Sequence, residues 1–272
     1  MEESKTSEVS EKYYGEERPS PREAEYLKRS TLQERKGQYG LAIANMRRAV
    51  EIAPQRASNY ARLAVLCRAA RRFDEALSAL RAAAECDPSN PELREMLLQI
   101  CMEAGRYEEA IREGKKLLKQ WPRNIYARDV LSMAYLHNGD YIKALRVTDQ
   151  LILIDPLDPM NHLKKAIIFQ QKGEIGEAMG EYARVVDLDP EGEVGEDAQE
   201  AMSSLDDLQL RQIITLALED GMFRAKLARD PDTAAAERGF VLSPNAAVAL
   251  RQIDLDSMSQ GDDAPPSTYV YS

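Results

Sequence analysis

Two histidines, His137 and His162, and three cysteines, Cys67, Cys86 and Cys101, are the side chains of this sequence best suited to acid–base, nucleophilic or metal chemistry. Imidazole and thiolate do such work when a partner stands at the right spacing, as Cys-x-x-Cys or Cys/His pairs do for zinc, or a nucleophile beside a base does for acyl transfer. No such spacing occurs. The histidines fall separately on stretches of helical periodicity, with no hydroxyl, thiol or acid pattern around them that reads as a nucleophile elbow. The cysteines are odd in number and unpaired by motif, which predicts buried, reduced, structural thiols. Adjacent acids such as Glu108 and Glu109 open a helical pattern, where carboxylates complement the helix dipole. The glycines are scattered and never cluster as a phosphate loop. The sequence thus predicts no enzymatic activity, no metal and no cofactor.

What positions these side chains is a repeat. Pro54, Pro88, Pro122, Pro156 and Pro190 follow one another at intervals of 34 residues, and other residue types keep the same beat. Ala42, Ala76, Ala110, Ala144 and Ala178 recur without exception, preceded by Tyr39, Phe73, Tyr107, Tyr141 and Ile175. Gly37, Gly105, Gly139 and Gly173 hold a third series, with Arg71 in the remaining slot. Each unit reads as two amphipathic helices, with apolar residues at i, i+3, i+4 and i+7. The glycine permits the left-handed turn that ends the first helix, and the proline ends the second. The alanine allows the two helices to cross closely.

Glycine, aromatic, alanine and proline at these offsets resemble the tetratricopeptide repeat family, over five units: 23–56, 57–90, 91–124, 125–158 and 159–192. The resemblance implies an all-α solenoid of helix-turn-helix pairs. The small residue that the family pattern places within the first helix is Ser30, Ala64, Ser132 and Ala166, but Leu98 in the third unit. The aromatic near the first-helix start is Tyr26 and Tyr60, then Arg94, Arg128 and His162, which predicts less regular packing in the last three units. Residues 193–220 read as a capping helix without the glycine and proline of a sixth unit.

The resemblance also implies a concave face, lined by first helices, that holds peptides or partner helices. By family position the lining includes Leu27 and Thr31; Ala61, Val65 and Arg68; Gln99 and Met102; Asp129, Met133 and Leu136; and Leu163, Ile167 and Gln170. The lysines and asparagines of the family's carboxylate clamp are missing, since those positions hold Leu27, Thr31, Ala61 and Val65. A lining of methionine and branched aliphatics suits the apolar face of an amphipathic helix. The same side chains could instead pack between adjacent first helices. Residues 23–124 carry 19 bases and 14 acids, so Arg62 and Arg68 are also expected to draw an acidic segment.

Residues 221–256 follow another grammar and read as a small helical module. Its Phe223-Arg224, Leu227, Asp230-Pro231, Gly239-Phe240 and Leu242-Ser243-Pro244 resemble the nitrile-hydratase-like and Nif11-like leader segments of bacterial peptide precursors. That likeness implies a docking element in a peptide-maturation system, with Phe223, Leu227, Phe240 and Leu242 as apolar anchors. Residues 193–272 carry 15 acids and 6 bases, so the module is expected either to dock back on the basic repeats, occluding the groove, or to stay free of them. Residues 1–22 and 257–272 read as disordered segments. The net charge of −10 with no basic stripe predicts no nucleic-acid partner. No apolar run is long enough for membrane insertion and the first residues are not a signal peptide, so a cytoplasmic location is expected.

Overall fold

The computed structural model describes residues 18–253; of the segments expected to be disordered, residues 1–17 and 257–272 lie outside the described residues, whereas Ser20 caps the first helix and residues 21–22 open it. Among the described residues every regular element is a helix: α1 (Pro21–Arg35), α2 (Tyr39–Ile52), α3 (Ala57–Ala69), α4 (Phe73–Cys86), α5 (Pro91–Glu103), α6 (Tyr107–Gln120), α7 (Ile125–His137), α8 (Tyr141–Ile154), α9 (Pro159–Lys172), α10 (Ile175–Leu188), α11 (Glu193–Glu219), α12 (Gly221–Arg229), α13 (Pro231–Glu237) and α14 (Pro244–Arg251). The first ten are the five predicted pairs. The chain divides into two compact units, Met1–Val147 and Thr148–Ser272.

Local chemistry explains many of the boundaries. Ser20 and Glu23 form a capping box at α1, the Ser20 hydroxyl accepting from the Glu23 N–H and the Glu23 carboxylate from the Ser20 N–H. Asn90, Asn124 and Asp158 cap α5, α7 and α9 through their side-chain oxygens. Each first helix ends in the same double hydrogen bond. The N–H groups of Gln38, Arg72, Arg106, Asp140 and Glu174 reach back to the carbonyls of Gln33, Cys67, Cys101, Tyr135 and Phe169 at 2.8–2.9 Å, with a left-handed residue just before each donor. Four of those residues are glycine. The fifth is Arg71, held at φ 57°, where a Cβ is unfavourable.

The alanine series is completely buried, and in the first pair the Ser30 hydroxyl donates to the Ala42 carbonyl at 3.0 Å, as a close crossing requires. The third pair solves the same packing problem in reverse. Leu98 is fully buried where the other pairs have serine or alanine, and it faces Gly114 on α6. At the Gly114 position the first, second and fifth pairs have Met46, Leu80 and Tyr182.

The polar replacements for the first-helix aromatic also meet polar partners, except at the buried Arg94 Nε, which has none. Arg94 lies 3.9 Å from Glu113, Arg128 donates to the Asn124 carbonyl at 3.4 Å, and buried His162 bonds Glu181 at 2.8 Å and the Pro156 carbonyl at 3.2 Å. Their packing differs from the family pattern, and Arg128 and His162 keep hydrogen-bond partners within it.

In the second unit, α11 runs for 27 residues and serves two cores. Ala198 and Leu205 join Ala166, Ala178, Met179, Tyr182 and Val185, whereas Ile213 and Ala217 join Phe223, Leu227, Ala234, Ala235 and Leu250. Residues 221–253 therefore complete a core with the cap and do not stand apart from it.

Candidate functional site

In the first unit the face formed by α1, α3, α5 and α7 is the candidate site. Positions three or four residues apart on one helix fall on one side, so Glu95, Gln99 and Glu103 form a line along α5, and Tyr126, Asp129 and Met133 share one side of α7. Val65 is 37% exposed and Tyr126 is 39% exposed; Gln99, Met102, Asp129 and Met133 are partly exposed. Burial, and then the carboxylates of Glu95, Asp129 and Glu103, push the Tyr126 hydroxyl above its usual range, with Arg68 opposing. An aromatic ring thus sits amid three acids.

Ion pairs and hydrogen bonds fix this surface. Arg62 donates to the Thr31 hydroxyl at 2.7 Å and to Glu34 at 3.3 Å, Arg68 lies 3.7 Å from Glu103, and Gln99 donates to Glu103 at 3.1 Å. Asn124 donates to Glu95 at 2.6 Å. The expected basic end is corrected by these contacts, because both arginines are answered by acids of the same face.

Several predicted lining residues are core residues instead. Leu27, Ala61 and Leu136 are buried, Ala61 in a cluster with Ala83 and Leu93, so they cannot line a groove. Met102 is only partly available, since it packs beside Leu98 and Leu117. In the second unit Leu163 and Ile167 rest against the Ala166–Tyr182 cluster, and Gln170 accepts from the Tyr182 hydroxyl at 2.5 Å. Glu95, Glu103 and Tyr126 were not predicted as lining residues. Their signal was present in the four-residue stripe of α5 and in the second position of α7.

The module anchors are likewise committed. Phe223 and Leu227 are buried against α11, and Phe240 and Leu242 pack on the same cluster. Gln209 grips the intervening backbone with both ends of its amide: its Nε2 donates to the Val241 carbonyl at 2.9 Å and its Oε1 accepts from the Val241 N–H at 2.8 Å. Asp206 accepts from the Ser243 N–H at 3.0 Å. The expectation that Phe223 and Leu227 act as docking anchors for the groove is therefore corrected: those apolar surfaces are already covered. Asp230 and Ser243 are helix caps, Pro231 and Pro244 first-turn prolines, and Gly239 a left-handed turn, so the leader-like pattern has a structural cause at each position.

The potential chemistry of the histidines and thiols is absorbed in the same way. His137 stacks on Tyr107 with ring centroids 4.8 Å apart. Burial pushes the Cys67 and Cys101 thiols up to about 11, and raises Cys86 as well. Among the described residues no group of histidine, cysteine and acids has the arrangement to hold a metal ion, and no helix is long and apolar enough to cross a membrane.

Family models described as tetratricopeptide repeat match residues 27–91, 61–125 and 101–168. The chain belongs to the tetratricopeptide repeat family. Solved structures of this repeat protein's fold include a tetratricopeptide repeat protein from Parabacteroides merdae, 18% identical with a TM-score of 0.59, covering 85% of this chain and 98% of the other. MamA from Desulfovibrio magneticus is 12% identical with a TM-score of 0.55, covering 65% and 99%. YrrB, described as a repeat protein with an unusual peptide-binding site, is 16% identical with a TM-score of 0.52, covering 64% and 90%. A search among curated proteins found no match.

Proposed function

We propose that this repeat protein is a non-catalytic, cytoplasmic interaction scaffold whose first-helix face in the first unit receives an amphipathic helix of a protein partner. One observation carries the reading: Val65 and Tyr126 keep more than a third of their surface open on a face where Met102 and Met133 are also partly exposed. An apolar stripe on the partner covers Val65, Tyr126 and Met133, and Glu95, Glu103 and Asp129 favour cationic residues beside that stripe. Methionine adapts to the stripe's shape. The preformed Arg68–Glu103 and Arg62–Thr31 contacts keep the face ordered before binding, which lowers the entropic cost of association.

The reading is supported by the family, and by YrrB, a repeat protein described as having an unusual peptide-binding site. Affinity capture from the native host with wild-type protein and with Met133→Glu tests it. The expected result is a defined partner held by the wild type and lost from the variant, with the helical circular dichroism unchanged. Retention of the same partner by a folded variant would place binding elsewhere.

A further inference from the structure

The fourth pair departs from its sister pairs at an exposed turn, the one from α8 to α9. Leu153 is 81% exposed and Leu157 is 73% exposed. In the other four copies the Leu153 position holds Glu51, Glu85, Lys119 and Asp187, and the Leu157 position holds Gln55, Ser89, Arg123 and Glu191. A single exposed leucine needs no explanation, but two at positions that are otherwise polar in every copy do. Their fold role is the same as that of the polar residues, so the turn does not require leucine. Exposed Ile154 and Met160 extend the patch within the same eight residues of chain.

Three carboxylates stand beside the patch, and a lysine pairs with one of them. Asp155 accepts from the Leu157 N–H at 3.2 Å and Asp158 caps α9 at the Met160 N–H, while Asp149 stands one turn before Leu153. Lys165 answers Asp149 at 3.0 Å. The carbonyl end of α8 adds to the negative potential. An acidic rim repels a second copy of the same patch, and it also repels residues 254–272, which bring Asp254, Asp256, Asp262 and Asp263.

We infer that the α8–α9 turn is a second docking surface, distinct from the first-helix face, for an amphipathic helical segment of a protein partner whose apolar stripe is flanked by lysine or arginine. The leucines enter the partner's stripe, and the aspartates meet its cationic border. This surface does not depend on the groove reading, since no residue is shared.

The sister copies supply residues compatible with each position: Leu153→Glu with Leu157→Gln as in the first copy, and Leu153→Lys with Leu157→Gln, which joins the lysine of the third copy to the glutamine of the first. The probe is a dye-labelled synthetic helix with leucine at i, i+3, i+4 and i+7 and lysine on both flanks, compared with the same helix carrying glutamate for lysine. Fluorescence anisotropy on the full chain should show the lysine peptide binding at least about tenfold more tightly than the glutamate peptide, and both double variants weakening it by about tenfold or more. In a Met133→Glu background, which removes the first-helix face, the double variants should weaken the lysine peptide by the same factor. Equal affinity for wild type and double variants, or no effect of the double variants in the Met133→Glu background, would overturn the inference. It would also be overturned by self-association in sedimentation that the double variants abolish, which assigns the patch to a second copy. Tighter peptide binding after deletion of residues 254–272 would assign the patch to that segment and overturn it equally.

Discussion

Leu98 and Gly114 form a complementary pair: a Cβ placed on Gly114 would lie 3.7 Å from Leu98 Cδ2 and 3.5 Å from Leu131 Cδ1. Those distances are ordinary van der Waals contact, so the site accepts one added carbon and no more. Gly114→Ala should stabilise the protein by about 0.5–1 kcal/mol, because a helical glycine loses more backbone freedom than alanine. Gly114→Leu should destabilise it by about 1–3 kcal/mol, and Leu98→Ala should relieve part of that loss when combined with it. Urea denaturation of the four variants measures both signs. Additive losses in the double variant would contradict the pairing.

Arg71→Gly should raise the denaturation midpoint. A left-handed non-glycine residue costs about 1–2 kcal/mol, while glycine's greater freedom in the unfolded chain returns part of the gain. The control is Gly105→Arg, which puts the same side chain into a sister turn at φ 68° and should lower the midpoint.

Ala110 is completely buried at the crossing of α5 and α6, and Ala144 at the equivalent position of the fourth pair is completely buried too. Leucine at either position should cost about 1–3 kcal/mol through overpacking. Unchanged melting in both would refute the close crossing.

Gln209→Ala removes both hydrogen bonds to the Val241 backbone. Each polar group left unsatisfied costs about 1–3 kcal/mol, so residues 239–243 should lose amide-exchange protection before the α9–α10 pair does. Uniform exchange across the second unit would show that the amide clamp has no local role.

The thiols give a pH test. A group whose pKa is raised reaches its reactive thiolate only at higher pH, so at pH 8 a thiol near 11 is about one part in a thousand ionised. Iodoacetamide should label the half-buried Cys86 first at pH 8, and Cys67 and Cys101 only after unfolding.

The repeat itself was legible because its signals act over a few residues: proline and glycine at turns, alanine at crossings. Leu98 was legible as a departure, but its compensation at Gly114 lies 16 positions away and needs both helices to be paired before it has meaning. The lining was less legible. Spacing along a helix gives the side on which Ala61 and Leu136 lie, but only the packing of neighbouring helices decides that they are covered while Tyr126 is not. For the same reason Phe223 and Leu227 read as anchors until α11 supplied the surface they cover.

The central claim is that partners meet the first-helix face of the first unit, and site-specific photo-cross-linking in the native host tests it most directly. A photoreactive amino acid at Met133 should yield one discrete protein adduct, whereas the same probe at exposed Ala44 on α2 should not. Equal adducts from both positions, or an adduct from position 44 alone, would contradict the account.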